Sequence, residues 1–340
     1  AEWSSAVLDT GRMNLGKFAQ VGAAIVAIAL TGGALAQAAQ SSETGLARSN
    51  LTIIAPAAVG GGWDGFSRES QAAMRGENLV NNAKVVNIPG AGGTIGLRQL
   101  VQMQGDSSTI MATGAAMVGG VEINRSAVSI QDATPLVRLA DDYIIVVVPA
   151  DSPYKTFDDV LAAWKENPKG FAIAGGSLGS VEHLAISEVG RTQGIEPRDV
   201  NFVAYSGGGE VLSALLSRTT EIGVTGYNDF ADQLESGTMR ALAISSPERL
   251  EVAPDIPTLT ELGVPVEMAN WRGFLAPPGI SDEEKRELVD ILTEMEQSEE
   301  WQDAVQRNGW FGTYMAGDEL EDFIDSESLR TRDLVKELGL

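Results

Sequence analysis

Short apolar runs alternate along the chain with amphipathic stretches, and glycine or proline marks most of the junctions. Aliphatic and β-branched runs of this kind, without polar alternation, read as strands covered on both faces. Strands are expected at residues 51–54, 85–88, 109–113, 143–148, 171–174, 200–204, 221–225, 240–245 and 267–276. Helical periodicity fills the gaps, at 97–103 behind Thr94, 156–164, 181–189 and 210–216. From Ser281 onward the chain is charged and helical, opening on the capping sequence Ser281-Asp282-Glu283-Glu284. Strands that alternate with helices predict an α/β fold with mostly parallel sheets. The runs 143–148 and 268–276 bracket a middle block, so two domains are expected. Domain 1 is discontinuous, 49–145 plus 268–340, and domain 2 is inserted at 146–267, with a cleft between them.

Two stretches repeat one grammar of strand, proline, glycine run and helix. The first runs through Pro56 to Gly60-Gly61-Gly62-Trp63-Asp64, with Asp64 a candidate N-cap. The second runs through Pro89 to Gly90-Ala91-Gly92-Gly93-Thr94. Glycine lets backbone approach a ligand closely, and a helix start offers unpaired N–H groups with partial positive charge. Two such loops at the ends of parallel strands make an anion site. Further glycine loops follow at 114–120, where a helix also starts, and at 175–180 and 205–209.

Composition narrows the chemistry. The 340 residues suffice for two cores. The absence of cysteine excludes disulfides and thiolate chemistry, and the single histidine, His183, excludes a multi-histidine metal site. No cofactor is expected. A net charge of −23 argues against nucleic acid as a partner, whereas a small anion can still be held by local amide dipoles. Residues 1–38 read as upstream residues and a signal peptide. Met13 and Lys17 precede the apolar run 21–30, and the tail Ala34-Leu35-Ala36-Gln37-Ala38 offers small-residue cleavage sites. A cleaved leader implies export.

The strongest enzyme pattern is Gly175-Gly176-Ser177-Leu178-Gly179, which fits the G-x-S-x-G elbow of a serine hydrolase with Ser177 as nucleophile. His183 lies on the helix that follows, and no histidine comes later in the chain to act as base. A non-enzymatic reading is therefore preferred, with Ser177 and Ser180 as hydroxyl donors and His183 a structural residue. The dinucleotide fingerprint fails at Ile95, and Gly60–Gly62 lacks the Lys-Ser/Thr of a P-loop.

Taken in order, Pro56-x-x-x-Gly60-Gly61-Gly62-Trp63-Asp64, Pro89 to Gly96, Gly175-x-x-x-Gly179-Ser180-x-x-His183, Tyr205 to Glu210 and Asn270-Trp271-Arg272-Gly273 resemble the extracytoplasmic receptors of tripartite tricarboxylate transporters. The resemblance spans about residues 51–340. It implies a type II periplasmic binding protein fold and a carboxylate ligand, with a tricarboxylate such as citrate favoured over a dicarboxylate, aromatic acid or amino acid. It further implies delivery to a permease of one large and one small membrane subunit, or a report to a sensor kinase. Carried over by motif, the ligand-binding set is Gly61, Gly62, Trp63, Gly92, Gly93 and Thr94 from domain 1. From domain 2 it is Ser177, Gly179, Ser180, Ser206, Gly207 and Asn228. The stretch Tyr227-Asn228-Asp229 departs from the small residues usual in that family. The cations near the loops are Arg68, Arg98 and Arg272. The expectation is an amide and hydroxyl cradle rather than an arginine clamp, with Gly92→Val removing binding while the fold survives.

Overall fold

The computed structural model describes residues 45–205 and 208–340. The expected signal peptide lies outside the described residues. Residues 46–340 cluster as one compact unit carrying two sheets. No helix among the described residues is long and apolar enough to cross a membrane.

The six-stranded sheet has the order β11-β4-β10-β3-β1-β2. Its parallel part is β1 (Leu51–Ala55) between β2 (Ala83–Asn87) and β3 (Thr109–Gly114). Next to it, β10 (Arg272–Ala276) runs antiparallel to β3 and to β4 (Thr134–Asp141), and β11 (Phe311–Ala316) runs antiparallel to β4. The five-stranded sheet has the order β7-β6-β8-β5-β9. Here β6 (Ile173–Gly175) is parallel to β7 (Phe202–Ala204) and β8 (Ile222–Gly226), while β5 (Ile144–Pro149) is antiparallel to β8 and β9 (Met239–Ile244).

Both sheets are thus mixed rather than mostly parallel. The cause is the crossings: β5 and β10 enter their sheets from the other sheet, not through a βαβ unit, so the handedness rule for parallel crossovers does not bind them. The expected strand at 267–276 shortens to β10 for the same reason. Met268 N donates to Ser245 O (3.1 Å) and Asn270 N to Asp142 O (2.8 Å), so this stretch pairs with the other crossing before the ladder begins. Tyr143 bridges Ala269 in the same ribbon. The ribbon is stapled by Ser245 Oγ, which accepts from Ile144 N (3.0 Å) and donates to Met268 O (2.5 Å). Arg138 is forked on Asp141 beside it, and Thr313 Oγ1 donates to Asp141 from β11 (3.0 Å). Strand β11 itself was hidden inside the charged C-terminal stretch; only the alternation Phe311, Thr313, Met315 marks it.

Helices occupy the expected gaps: α1 (Gly62–Gly76), α2 (Thr94–Gln102), α3 (Ala115–Ile123), α4 (Phe157–Glu166), α5 (Val181–Thr192), α6 (Gly208–Leu216), α7 (Ala231–Glu235), α8 (Asp282–Glu296), α9 (Glu299–Arg307) and α10 (Gly317–Leu338). Capping boxes start α4 at Thr156 and α8 at Ser281. The core of the six-stranded sheet is aromatic. Phe66 of α1 stacks on Phe274 of β10 (5.0 Å between centroids) and meets Trp301 and Trp310 edge-on (5.6 and 5.7 Å). That packing fixes where α1 begins.

Candidate functional site

The first glycine loop ends in an open helix start. Gly60 has φ +85°, a conformation for which glycine is suited. Its N–H goes to Asp64 Oδ2 (2.8 Å), and the Gly61 N–H returns to Ala58 O (3.0 Å). Gly61, not Asp64, is the N-cap, and Asp64 sits in the first turn. The buried Asp64 carboxylate also accepts from Asn87 Nδ2 (2.8 Å) and Arg68 Nε (3.0 Å). The Arg68 bond, followed by those from Gly60 and Asn87, pulls its carboxyl down to about 2 against the effect of burial. Asp64 is therefore a brace holding the loop, and Arg68 is committed to it. The first bond inside the turn is Gly65 N to Gly61 O (3.0 Å). The amides of Gly62, Trp63 and Asp64 therefore face out of the helix start without an intrahelical partner. Gly62 is exposed and Trp63 half-buried.

The second loop looks alike in sequence and behaves differently. Gly92 has φ +61°, and a Cβ there would fall 2.9 Å from Gly120 Cα of α3. Gly93 N returns to Gly90 O (3.0 Å), and the Thr94 hydroxyl donates to Ala91 O (2.9 Å). Asn124 of α3 clamps the same Ala91 carbonyl (3.1 Å). The Trp63 ring lies over Gly93, 3.0 Å from where its Cβ would stand. The donors of Gly93 and Thr94 are spent inside the loop, and Gly92 is a contact with α3.

From the five-stranded sheet, the loop 175–180 also packs on α3. A Cβ on Gly119 would meet Gly179 O at 2.9 Å, and Ile123 blocks any side chain at Gly179. Gly179 N donates to His183 Nδ1 (2.9 Å), and the imidazole stacks on Phe202 (4.3 Å). Burial pushes this imidazole down to about 4. His183 is a brace for the loop, and among the described residues no hydrogen bond joins it to the exposed Ser177. The Ser180 hydroxyl is buried beside the Glu182 carboxylate, both 3.2 Å from a Cβ position on Gly176. Ser206 and Gly207 lie outside the described residues. Asn228, after β8, reaches the crossing ribbon and the C-terminal segment, donating to Asp142 Oδ1 (3.3 Å) and Gly309 O (2.5 Å).

The side chain that the expected ligand-binding set left out is Arg272, at the start of β10. Its Nη2 lies 3.5 Å from a Cβ position on Gly62, against the open start of α1. Its guanidinium stacks over Trp310 (5.2 Å to the ring centroid). Burial works against its charge, and Asp142 and Asp229 work in favour of it. Asp142 is pushed up to about 7 by burial, with Arg272 opposing and Asp229 and Glu182 adding to the rise. Glu182 is raised mainly by burial, and Asp229 accepts from Thr225 Oγ1 (2.6 Å). Arg272, Asp142 and Glu182 are all reachable by water yet closely surrounded by protein, as in a narrow crevice. A groove of about 580 Å³, lined by Asn228, Val252, Gln302 and Trp310 among others, adjoins this cluster. A sequence signal for Arg272 existed: a cation placed inside an apolar strand rarely stands there without a partner or a ligand.

The profile of the family described as "Tripartite tricarboxylate transporter family receptor" matches residues 67–340. Among curated relatives, Protein BugT of Bordetella pertussis is 26% identical over 294 residues, 85% of this chain and 89% of its own length. Among solved structures, a TctC solute binding protein from Polaromonas superposes with a TM-score of 0.76 at 22% identity, covering 86% of this chain and 100% of its own. Rpa4515 of R. palustris, solved with adipate, superposes at 0.71 and 20% identity, covering 87% and 99%. These structures give the fold as that of type II periplasmic binding proteins.

Proposed function

This chain belongs to the tripartite tricarboxylate transporter receptor family, and from that premise we propose that it captures a small organic anion with two or three carboxylates, citrate-like in class. The observation that carries this reading is the convergence of unbonded α1 amides and the Arg272 guanidinium at the ribbon joining the two sheets. Helix-start amides and a guanidinium are both anion receptors. The adipate of Rpa4515 is in keeping with a dicarboxylate or larger solute.

On this reading the protein works in the periplasm and hands its ligand to the large and small membrane subunits of the transporter. Residues 49–145 with 268–340 and residues 146–267 act as two domains that close about the ribbon, a hinge motion common to binding proteins. Gly62 and Trp63 take the carboxylate, Ser177 and Ser180 close from the other side, and Gly61, Gly92, Gly93, Thr94 and Gly179 shape the walls. A second reading, a ligand that also carries an ammonium group, is favoured by the carboxylates of Asp142, Asp229 and Glu182 near Arg272. The experiment is a thermal-shift screen of the purified protein against citrate, malate, adipate, benzoate, aspartate and glutamate. A ligand that binds only the folded state stabilises it, by about 2.7 kcal/mol at a hundred times Kd, and so raises the melting temperature. Citrate or a dicarboxylate is expected to give the largest rise. Stabilisation by aspartate or glutamate alone would select the second reading, and none by any of the six would refute the function.

A further inference from the structure

Arg272 is a half-buried cation, closely surrounded by protein, whose donors have no use among the described residues. Its guanidinium lies between Gly62 and the Trp310 ring. Stacking on an indole fixes the plane but leaves the edge donors free. Those donors enter no hydrogen bond or ion pair with any described residue. A guanidinium enclosed this closely is ordinarily paired, because even partial desolvation of an uncompensated charge is costly. Asp142 and Asp229 favour the charge from beyond ion-pair distance, so they keep it without capping it. Directly beside it is Gly62, the first residue of α1, whose amide lacks a partner in the helix, as do those of Trp63 and Asp64 one and two residues on.

A helix start alone accepts any electron-rich oxygen, including a neutral carbonyl. A guanidinium edge adds two parallel donors matched to the two oxygens of a carboxylate. We propose that Arg272 and the start of α1 form a single carboxylate subsite, in which Arg272 supplies the charge that separates an ionised acid from its neutral amide or ester. Trp310 positions the guanidinium by stacking. This proposal rests on the carboxylate-receptor reading above and adds to it the group that enforces the anionic state.

The test is calorimetric titration of citrate, malate and adipate into the wild type, Arg272→Gln, Arg272→Lys and the exposed control Arg98→Gln, with the unliganded melting temperature of each. Arg272→Gln is expected to weaken binding about a hundred-fold, the upper range for a charged hydrogen-bonded group. Arg272→Lys, which keeps charge but loses the fork, is expected to weaken it about ten-fold. The unliganded melting temperature of Arg272→Gln should hold or rise, since an unpaired desolvated charge is removed. A merely structural role would instead lower the melting temperature and leave the affinity of the folded fraction intact. The monoamides of the same acids give a second readout: the penalty for a neutral group at the subsite should shrink in Arg272→Gln. Wild-type binding with unchanged affinity in both Arg272 variants would overturn the subsite and leave the receptor reading standing. No binding of any of the three acids by the wild type would overturn both. Should Arg272→Gln fail to fold, Arg272→Lys decides alone, a ten-fold loss supporting the subsite and an unchanged affinity refuting it.

Discussion

The loops at Gly60–Gly62 and Gly90–Gly93 share a sequence plan and differ in what their amides do. In the first, Asp64 and Ala58 take the Gly60 and Gly61 donors, and the start of α1 is left open beside Arg272. In the second, the donors of Gly93 and Thr94 return to the loop itself, and Gly92 is pressed against Gly120 of α3. The first loop leads into α1 with its turn free toward Arg272; the second leads into α2 with its glycine packed against α3. Glycine-rich sequence reports that a backbone must turn or approach something closely. Whether that something is a ligand or another helix depends on where each N–H goes, which is a tertiary fact.

The comparison predicts opposite outcomes for a side chain added to each loop. Gly92→Val should unfold the second loop rather than spare the fold: its Cβ collides with the Gly120 backbone in a left-handed conformation that valine resists. A loss of about 3 kcal/mol or more of stability is expected in chemical denaturation, and a fully stable Gly92→Val that cannot bind would restore the original ligand-cradle role. Gly62→Ala should do the reverse. Its Cβ finds ordinary contact with Arg272, and alanine is tolerated in a helix, so stability should stay within about 0.5 kcal/mol. Affinity for citrate should fall about ten-fold, since the methyl group stands between the α1 amides and the guanidinium, the equivalent of about one hydrogen bond. Titration showing undiminished affinity would place the carboxylate elsewhere.

A smaller effect comes from the charge opposite Arg272. Burial raises the Asp142 carboxyl to about 7, with Asp229 and Glu182 adding and Arg272 and Asn228 opposing. Its folded value exceeds the unfolded one, so the folded state holds the extra proton between about pH 4 and 7. On this group's account, stability falls as pH rises through that window and levels off above it. The same titration bears on binding: above pH 7 the carboxylate repels an anionic ligand, so citrate affinity should drop a few-fold between pH 6 and 8. Asp142→Asn should flatten that dependence and bind slightly tighter at pH 8. An Asp142→Asn profile as steep as that of the wild type would assign the titration to another group.

Much of the architecture was legible because it rests on local rules. The buried runs of β1, β3 and β5, the capping boxes at Thr156 and Ser281, and the glycine punctuation all follow from burial and backbone conformation. Strand β11 escaped because it lies at an edge, half-exposed, with polar residues between its apolar ones. The short β10 escaped because residues 268–271 are mostly apolar for a different reason, pairing with the other crossing. Arg272 was visible as a residue but not as a neighbour of Gly62: the two are brought together by Phe66 packing on Phe274, a contact between elements far apart in sequence. His183 and Asp64 read correctly as structural, although Asp64 braces the loop through Gly60, Asn87 and Arg68 rather than capping α1.

The central claim is that a ligand carboxylate sits between the start of α1 and Arg272. A crystal structure of the protein with citrate tests it most directly. The account predicts carboxylate oxygens at about 3 Å from the Trp63 amide and from Arg272 Nη2, with the 90–94 loop contributing shape alone. A carboxylate held by the amides of Gly92 to Thr94, with Arg272 bonded to no ligand atom, would contradict it.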